Sequence, residues 1–133
     1  MSVLSSNAGV LEEGLRAIDT GVPCEIAGAI DVVGIDRRNQ LVLIDVDASG
    51  SDGLLLRGTC HVDWFIRNAQ IVRRMYAAHP IDFSSEPRLF LVGPRFSPVF
   101  RCAVQRITCL RITCVTYSLV TLPNGAGIFF QHS

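Results

Sequence analysis

Two apolar, β-branched segments separated by a short polar turn constrain the fold of this chain most strongly. Residues 24–35 are typical of extended chain, most clearly at residues 30–33, and residues 41–47 are typical of a second strand. Residues 36–39 between them read Asp-Arg-Arg-Asn, which is turn material. Because so short a connection allows little other than antiparallel pairing, the sequence predicts a β-hairpin.

The spacing of apolar residues predicts the other elements. The predicted helices cover residues 8–19, 54–78 and 98–106, with Ser97 as the N-cap of the last, and the predicted strands cover residues 88–93, 111–120 and 127–131. The order α-β-β-α-β-α-β-β predicts an α/β fold with a central mixed β-sheet flanked by helices. A length of 133 residues predicts one domain spanning residues 1–133.

Three aspartates mark one end of the predicted hairpin. Asp31 lies in the first strand, and Asp45 and Asp47 lie at the end of the second. Pairing across the turn brings Asp31 close to register with Asp45, while Asp45 and Asp47 share a face because strand side chains alternate. Converging carboxylates repel one another by roughly a few kcal/mol, which a divalent cation or a proton relieves. Solvated side chains at strand ends are the alternative interpretation.

The hairpin and the segment after it resemble the core of the PD-(D/E)XK nuclease superfamily. The matching residues are Ile30-Asp31 in the first strand, Leu41-Val-Leu-Ile-Asp45 in the second, and Asp63-Trp64 in the long helix. The branch it resembles most is that of the NucS-like DNA endonucleases. The resemblance covers about residues 10–120 and implies a restriction-endonuclease-like, three-layer fold.

The resemblance also implies a catalytic site. Asp31 and Asp45 match the acids that hold a divalent metal, Mg²⁺ or Mn²⁺, and Asp31, Asp45 and Asp47 occupy the catalytic positions. Asp47, however, stands where the family has the lysine that activates the attacking water. None of the 133 residues is a lysine. A carboxylate at that position has the wrong sign beside an anionic substrate.

Further residues are candidates for supporting roles. Arg57, Arg73 and Arg74 are candidate contacts to DNA phosphates, with a solvated helix surface as the alternative for the last two. Glu12 or Glu13 is a candidate for the acid that many superfamily members carry on their first helix, but solvation on the helix surface is the favoured interpretation. His61 is predicted to be a packing residue rather than a base.

The missing lysine favours one of three functions. The favoured one is a degenerate nuclease-fold protein, inactive or very weakly active, that acts as a nucleic-acid or protein binding module. The alternatives are an active metal-dependent DNA endonuclease with an altered site, and a structural or regulatory protein that shares only the fold. Twelve arginines balance twelve acidic residues, so the net charge is zero. This argues against tight binding of a polyanion such as DNA by a monomer.

The last part of the chain predicts an assembly. Residues 112–133 contain no Asp, Glu, Lys or Arg. An uncharged edge strand is a pairing hazard that proteins usually blunt or cover, so a homodimer through the C-terminal strands is predicted. Completion of the monomer core is the alternative. Polar residues interrupt this stretch, so no membrane segment is predicted.

The five cysteines predict a compartment. Their number is odd and no C-x-x-C pair occurs, which is typical of reduced, mostly buried thiols. A cytoplasmic location follows from that interpretation.

Overall fold

A six-stranded mixed sheet organises the chain in the computed structural model, which describes Leu4 and residues 7–133. The strands are β1 (Arg16–Val22), β2 (Ile30–Ile35), β3 (Leu41–Val46), β4 (Arg88–Gly93), β5 (Ile112–Leu122) and β6 (Gly125–His132). They lie side by side in chain order. β3, β4 and β5 run parallel to one another, and the other neighbouring pairs are antiparallel. The predicted mixed sheet is therefore confirmed.

Three α-helices cover one face of this sheet. They are α1 (Gly53–Arg67), α2 (Ala69–Met75) and α3 (Pro98–Arg106). Their buried apolar side chains pack against those of the strands, and this core includes Leu54, Val62, Phe65, Val72, Phe100, Val33, Leu43, Leu89 and Leu91. The opposite face is covered by the N-terminal segment, with Leu4, Ala8, Leu11 and Leu15 packed on Val32, Ile44, Phe90 and Val115. Both faces of the central strands β2, β3 and β4 are thus buried, as is common in α/β folds.

The predicted hairpin is present, with the predicted register. β2 and β3 pair antiparallel, with Val32 opposite Ile44 and Val33 opposite Leu43. One step further along, Asp31 comes opposite Asp45, and the backbone N–H of Val46 donates to Asp31 Oδ2 at 2.8 Å.

The prediction of a helix over residues 8–19 is wrong. Only Ala8–Val10 form a short 3₁₀ helix, and β1 begins at Arg16. Gly14 turns the chain between them with φ +83°, and a Cβ there would lie 2.8 Å from Arg37 Cβ. Leu11 and Leu15 are buried against the sheet. Their spacing therefore reflects burial by an irregular segment rather than a helical face.

The long helix predicted over residues 54–78 is divided. It breaks at Asn68, which has φ −111° and ψ 34°, and whose backbone N–H and side-chain amide both donate to Trp64 O at 2.9 Å. The predicted extended segment 24–35 is also shortened, because Ala27 and Gly28 adopt positive φ before β2. The Ser97 cap is confirmed, since its Oγ accepts the Phe100 N–H at 3.0 Å.

The cysteines and the helices bear on two further predictions. All five cysteines are free, but Cys102 and Cys109 are exposed and the other three are half-buried, so the prediction of mostly buried thiols is wrong. Among the residues described, no helix combines the length and the apolar character needed to cross a membrane.

Candidate functional site

Close packing of α1 on the sheet positions the site. A Cβ built on Gly58 would lie 2.7 Å from Leu91 Cδ2 and 2.9 Å from Leu89 Cδ2, so a larger residue would push the helix away. Arg57 and His61 are four residues apart and therefore neighbours on the helix surface. Both contact the hairpin at the end that carries the aspartates.

Asp45 and His61 form a buried pair. Neither side chain is exposed to solvent, and His61 Nδ1 lies 2.6 Å from Asp45 Oδ2. The other ring nitrogen, Nε2, lies 3.0 Å from Gly28 O and 3.2 Å from Ala27 O. Every partner of this imidazole is thus a hydrogen-bond acceptor.

The contacts of His61 favour the protonated form of its ring. A neutral imidazole carries one N–H and can donate to only one side, whereas the protonated ring donates from both nitrogens. Burial lowers the pKa of His61, but the hydrogen bond and charge of Asp45 and the carbonyls of Gly28 and Ala27 outweigh it and raise the pKa above its ordinary value. The acceptors at both nitrogens and the raised pKa thus favour a protonated His61 ring.

A second cation lies beside Asp31. Arg57 Nη2 is 3.4 Å from Asp31 Oδ2 and donates to Val46 O at 2.6 Å. The same Asp31 oxygen accepts the Val46 N–H. About one third of each side chain is exposed, so this pair borders solvent while Asp45 does not.

Asp47 is held within its own loop. Its Oδ1 accepts the side-chain hydroxyl of Ser49 at 2.6 Å and the Ser49 N–H at 2.8 Å. These hydrogen bonds lower the pKa of the Asp47 carboxyl. Its carboxylate is therefore weakly basic and already bonded on one oxygen.

The contacts do not gather these carboxylates into a metal site. In the part of the chain that the structure describes, no group of three or more His, Cys, Asp or Glu side chains is placed to hold a metal ion. Cationic side chains stand beside Asp31 and Asp45, and the donor set in this geometry does not fit a divalent cation. Metal ligation by Asp31 and Asp45 stays a prediction.

Arg73 and Arg74 lie apart from the aspartates. The Arg73 guanidinium is 5.0 Å from the centre of the Phe83 ring. That segment is fixed to the hairpin turn, where the Asp82 N–H donates to Asn39 O at 2.8 Å. The turn is at the opposite end of β2 and β3, so only Arg57 of the three candidate arginines lies at the site.

The predicted helix acid is also elsewhere. Both carboxylate oxygens of Glu12 accept from Arg88, at 2.6 and 2.7 Å, and Arg88 also donates to Asp36 at 3.0 Å. This cluster is at the turn end of the hairpin. The hypothesis that Glu12 joins the aspartates is wrong.

Arg95 is a site residue that the sequence analysis missed. It follows β4, is exposed, and donates from Nη2 to Ser49 O at 3.2 Å in the loop after β3. The two loops meet because they follow the carboxyl ends of neighbouring parallel strands, where α/β proteins commonly bind ligands. The signal that would have found Arg95 is the parallel pairing of β3 with β4.

Comparison with known proteins adds a fold likeness. No family model and no curated protein matches the chain. Two solved structures do. A repair endonuclease from Pyrococcus abyssi superposes with a TM-score of 0.54 at 20% identity, over 84% of this chain and 42% of that one. A complex of EndoMS with double-stranded DNA gives 0.52 at 16% identity, over 85% and 41%.

The chain has a nuclease-like fold. The resemblance to NucS-like endonuclease domains is confirmed at the level of the fold. The chain spans about two fifths of the length of each structure it matches. His61 and Arg57 stand beside the aspartates that the resemblance identified.

Proposed function

We propose that residues 1–133 form a single nuclease-like domain that binds DNA and cleaves it very weakly or not at all. The observation that carries this proposal is the buried pair of Asp45 with His61, at 2.6 Å. In this pair His61 contacts the Asp45 side chain, which an active nuclease of this type would use to bind a metal ion. A DNA complex among the solved structures of similar fold supports DNA as the partner.

The side chains at the site offer no efficient base for hydrolysis. A general base needs a free lone pair and a pKa near the working pH. Both ring nitrogens of His61 face oxygen atoms at hydrogen-bond distance, and a guanidinium such as that of Arg57 cannot act as a general base. The pKa of Asp47 is lowered, which makes its carboxylate a poor proton acceptor.

Positive charge remains at the carboxyl edge of the sheet. Arg57 is one third exposed and Arg95 is exposed. In this proposal both guanidinium groups contact phosphates of the DNA backbone, which position a duplex without reading its sequence. The protein acts as a homodimer, so that two such edges compensate for the zero net charge of one copy. Its five free cysteines favour the cytoplasm.

A plasmid-nicking assay tests the catalytic half of the proposal. Wild-type protein with Mg²⁺ or Mn²⁺ should leave supercoiled plasmid intact, and Asp47→Lys should move any residual activity upward, because it changes the local charge by two units. Robust cleavage by the wild type that is lost in Asp45→Asn would contradict the proposal and identify an active enzyme.

Fluorescence anisotropy with a labelled duplex tests the binding half. Binding should persist in EDTA and weaken with salt. Arg95→Gln should weaken it about fivefold and reduce the salt slope by about 1. Arg74→Gln, which changes an exposed arginine of α2, is the matched control and should change little. Equal losses in both variants, or no binding by the wild type, would contradict the assigned surface.

A further inference from the structure

The two parts of the chain on either side of β4 differ in charge. All twelve acidic residues lie within residues 1–86, together with seven of the twelve arginines. Residues 87–133 contain the other five arginines and no acidic residue. The zero net charge of the chain therefore combines an acidic part with a basic part, and the electrostatic field at a surface depends on which part forms it.

Carboxylates lie beside two of these five arginines. Arg88 donates to two carboxylates at the turn end of the β2–β3 hairpin. Arg111 lines a cavity that Asp82 and Glu86 also line. The other three form no ion pair with a carboxylate among the described residues, and all three are exposed: Arg95, Arg101 and Arg106.

These three crossover arginines lie along the connection between β4 and β5, which covers residues 94–111 and includes α3. Because β4 and β5 are parallel, the connection runs from the carboxyl edge of the sheet, where Arg95 lies, back toward the turn end of the hairpin. Arg101 and Arg106 follow on α3, about 7.5 Å apart along the helix axis. The crossover arginines therefore continue from the proposed DNA-binding edge.

One side of α3 packs on the sheet and the other is open. Phe100 is buried in the core on the helical side of the sheet, with Ala103 and Val104 packed against that core. Arg101 and Arg106 are exposed and lie about 140° apart around the helix axis, on either side of its outward face. Since the sheet covers the apolar side of α3, the outward face presents mainly positive charge to a partner.

We propose that the DNA-binding surface extends from the carboxyl edge along α3, with Arg101 and Arg106 each contacting a backbone phosphate. This inference rests on the proposed function and adds a second element to its DNA contacts. Guanidinium groups bind phosphate oxygens and position a duplex without reading its sequence. α3 is about 14 Å long, which matches about four phosphates along one DNA strand, so two contacts fit on it.

One carboxylate and one apolar side chain limit this surface. Among the described residues, Asp52 brings a carboxylate to the start of α3, where it accepts from Ser97 Oγ at 2.7 Å, one turn before Arg101. Val99 is a large apolar side chain that is 71% exposed on the helix. Helices that lie on membranes insert a whole apolar side beside their basic residues. In α3 that side faces the sheet, which favours DNA over an anionic lipid surface.

Fluorescence anisotropy of a labelled duplex with the full chain, measured across salt concentrations, tests the extension. Arg101→Gln with Arg106→Gln should weaken binding about tenfold and reduce the salt slope by about 2. Arg16→Gln with Arg74→Gln removes the same charge from exposed positions within residues 1–86. This matched control should bind within about twofold of the wild type.

Two further measurements separate charge from folding. Arg101→Lys with Arg106→Lys keeps both charges and should retain most of the binding, and circular dichroism checks the fold of each variant. Addition of duplex to the wild type should shift the backbone amide NMR signals of residues 101–106, a measurement that needs no variant. Amide signals that stay unchanged there while the duplex is bound would contradict the inference.

Each remaining outcome overturns the inference in a recognisable way. Unchanged binding in the glutamine double variant, with a loss in Arg95→Gln, removes α3 from the surface and leaves the proposed function standing. Equal losses in the glutamine double variant and in its matched control assign the effect to net charge. Loss of binding to phosphatidylserine vesicles, without a change in duplex binding, assigns α3 to a lipid surface. A wild type that binds no duplex contradicts the proposed function itself.

Discussion

The two ends of the β2–β3 hairpin both join acidic and basic side chains, but they differ in how completely they do so. At the turn end, Arg88 donates to both oxygens of Glu12 and to Asp36, and Asp36 also accepts the backbone N–H groups of Arg38 and Gln40. At the other end, Asp45 has one hydrogen-bonding side chain as a partner among the residues that the structure describes, His61. Asp45 Oδ1 is buried without a hydrogen-bond partner in the described chain.

The two ends of the hairpin thus differ in how fully their buried polar atoms are hydrogen-bonded. Buried polar atoms are nearly always hydrogen-bonded, and proteins leave them unpaired chiefly at functional positions. Arg57 Nε beside Asp31 is also buried and unpaired. The Arg88 cluster at the turn end has no such atom among the described residues, whereas the aspartate end has two of the three; the third is Trp64 Nε1.

Removal of His61 should have the largest effect on stability. His61→Leu leaves the Asp45 charge uncompensated in the core, and breaking a buried pair costs about 3–5 kcal/mol. Urea denaturation measures this as a lower transition midpoint.

The double variant His61→Leu with Asp45→Leu is the matched control for this prediction. Replacement of both partners by apolar residues is often close to neutral, so most of the stability should return. A loss below about 1 kcal/mol in His61→Leu alone would show that the pair is not an ion pair.

Removal of Arg88 should cost less. Arg88→Met retains the packing of the aliphatic part of the side chain and removes the guanidinium. Water can then hydrate Glu12, and Asp36 still accepts its two backbone hydrogen bonds. We expect a loss of about 2 kcal/mol in the same urea assay. Arg106→Met, at an exposed position, should stay within about 0.5 kcal/mol of the wild type. If Arg88→Met loses more free energy of unfolding than His61→Leu does, the turn end contributes more to stability than the Asp45–His61 pair, which contradicts this comparison.

The two ends should also respond oppositely to pH, with a smaller effect. The hydrogen bonds from Arg88 lower the pKa of Glu12 below its ordinary 4.5, so this contribution is present above pH 4.5 and is lost as pH falls through the lowered pKa. The pKa of His61 is raised above 6.5, so its contribution is complete below pH 6.5 and is lost as pH rises through the raised pKa.

Unfolding free energies across pH test both limbs. Arg88→Met should flatten the acid limb and His61→Leu the alkaline limb. A wild type whose stability is unchanged as the pH rises above 6.5 would argue against the charged state of His61.

Local sequence patterns predicted the hairpin and the Ser97 cap, because alternation, turn residues and caps are short-range features, and the nuclease-like fold came from the family resemblance. They failed at β1, where Leu11 and Leu15 mimic helical spacing, and at Asn68, where no glycine or proline marks the break. The Asp45–His61 pair was also missed. It joins residues 16 positions apart and depends on how closely Gly58 lets α1 approach the sheet.

Nitrogen-15 NMR of the His61 ring tests the central claim most directly. The account predicts that both ring nitrogens are protonated at neutral pH, and that millimolar Mg²⁺ or Mg²⁺ with duplex DNA leaves this state unchanged. Asp45→Asn should lower the pKa of His61 toward its ordinary value and serves as the control. A neutral ring in the wild type, or loss of one ring proton on addition of Mg²⁺, would contradict the claim that this chain's own imidazolium occupies the site.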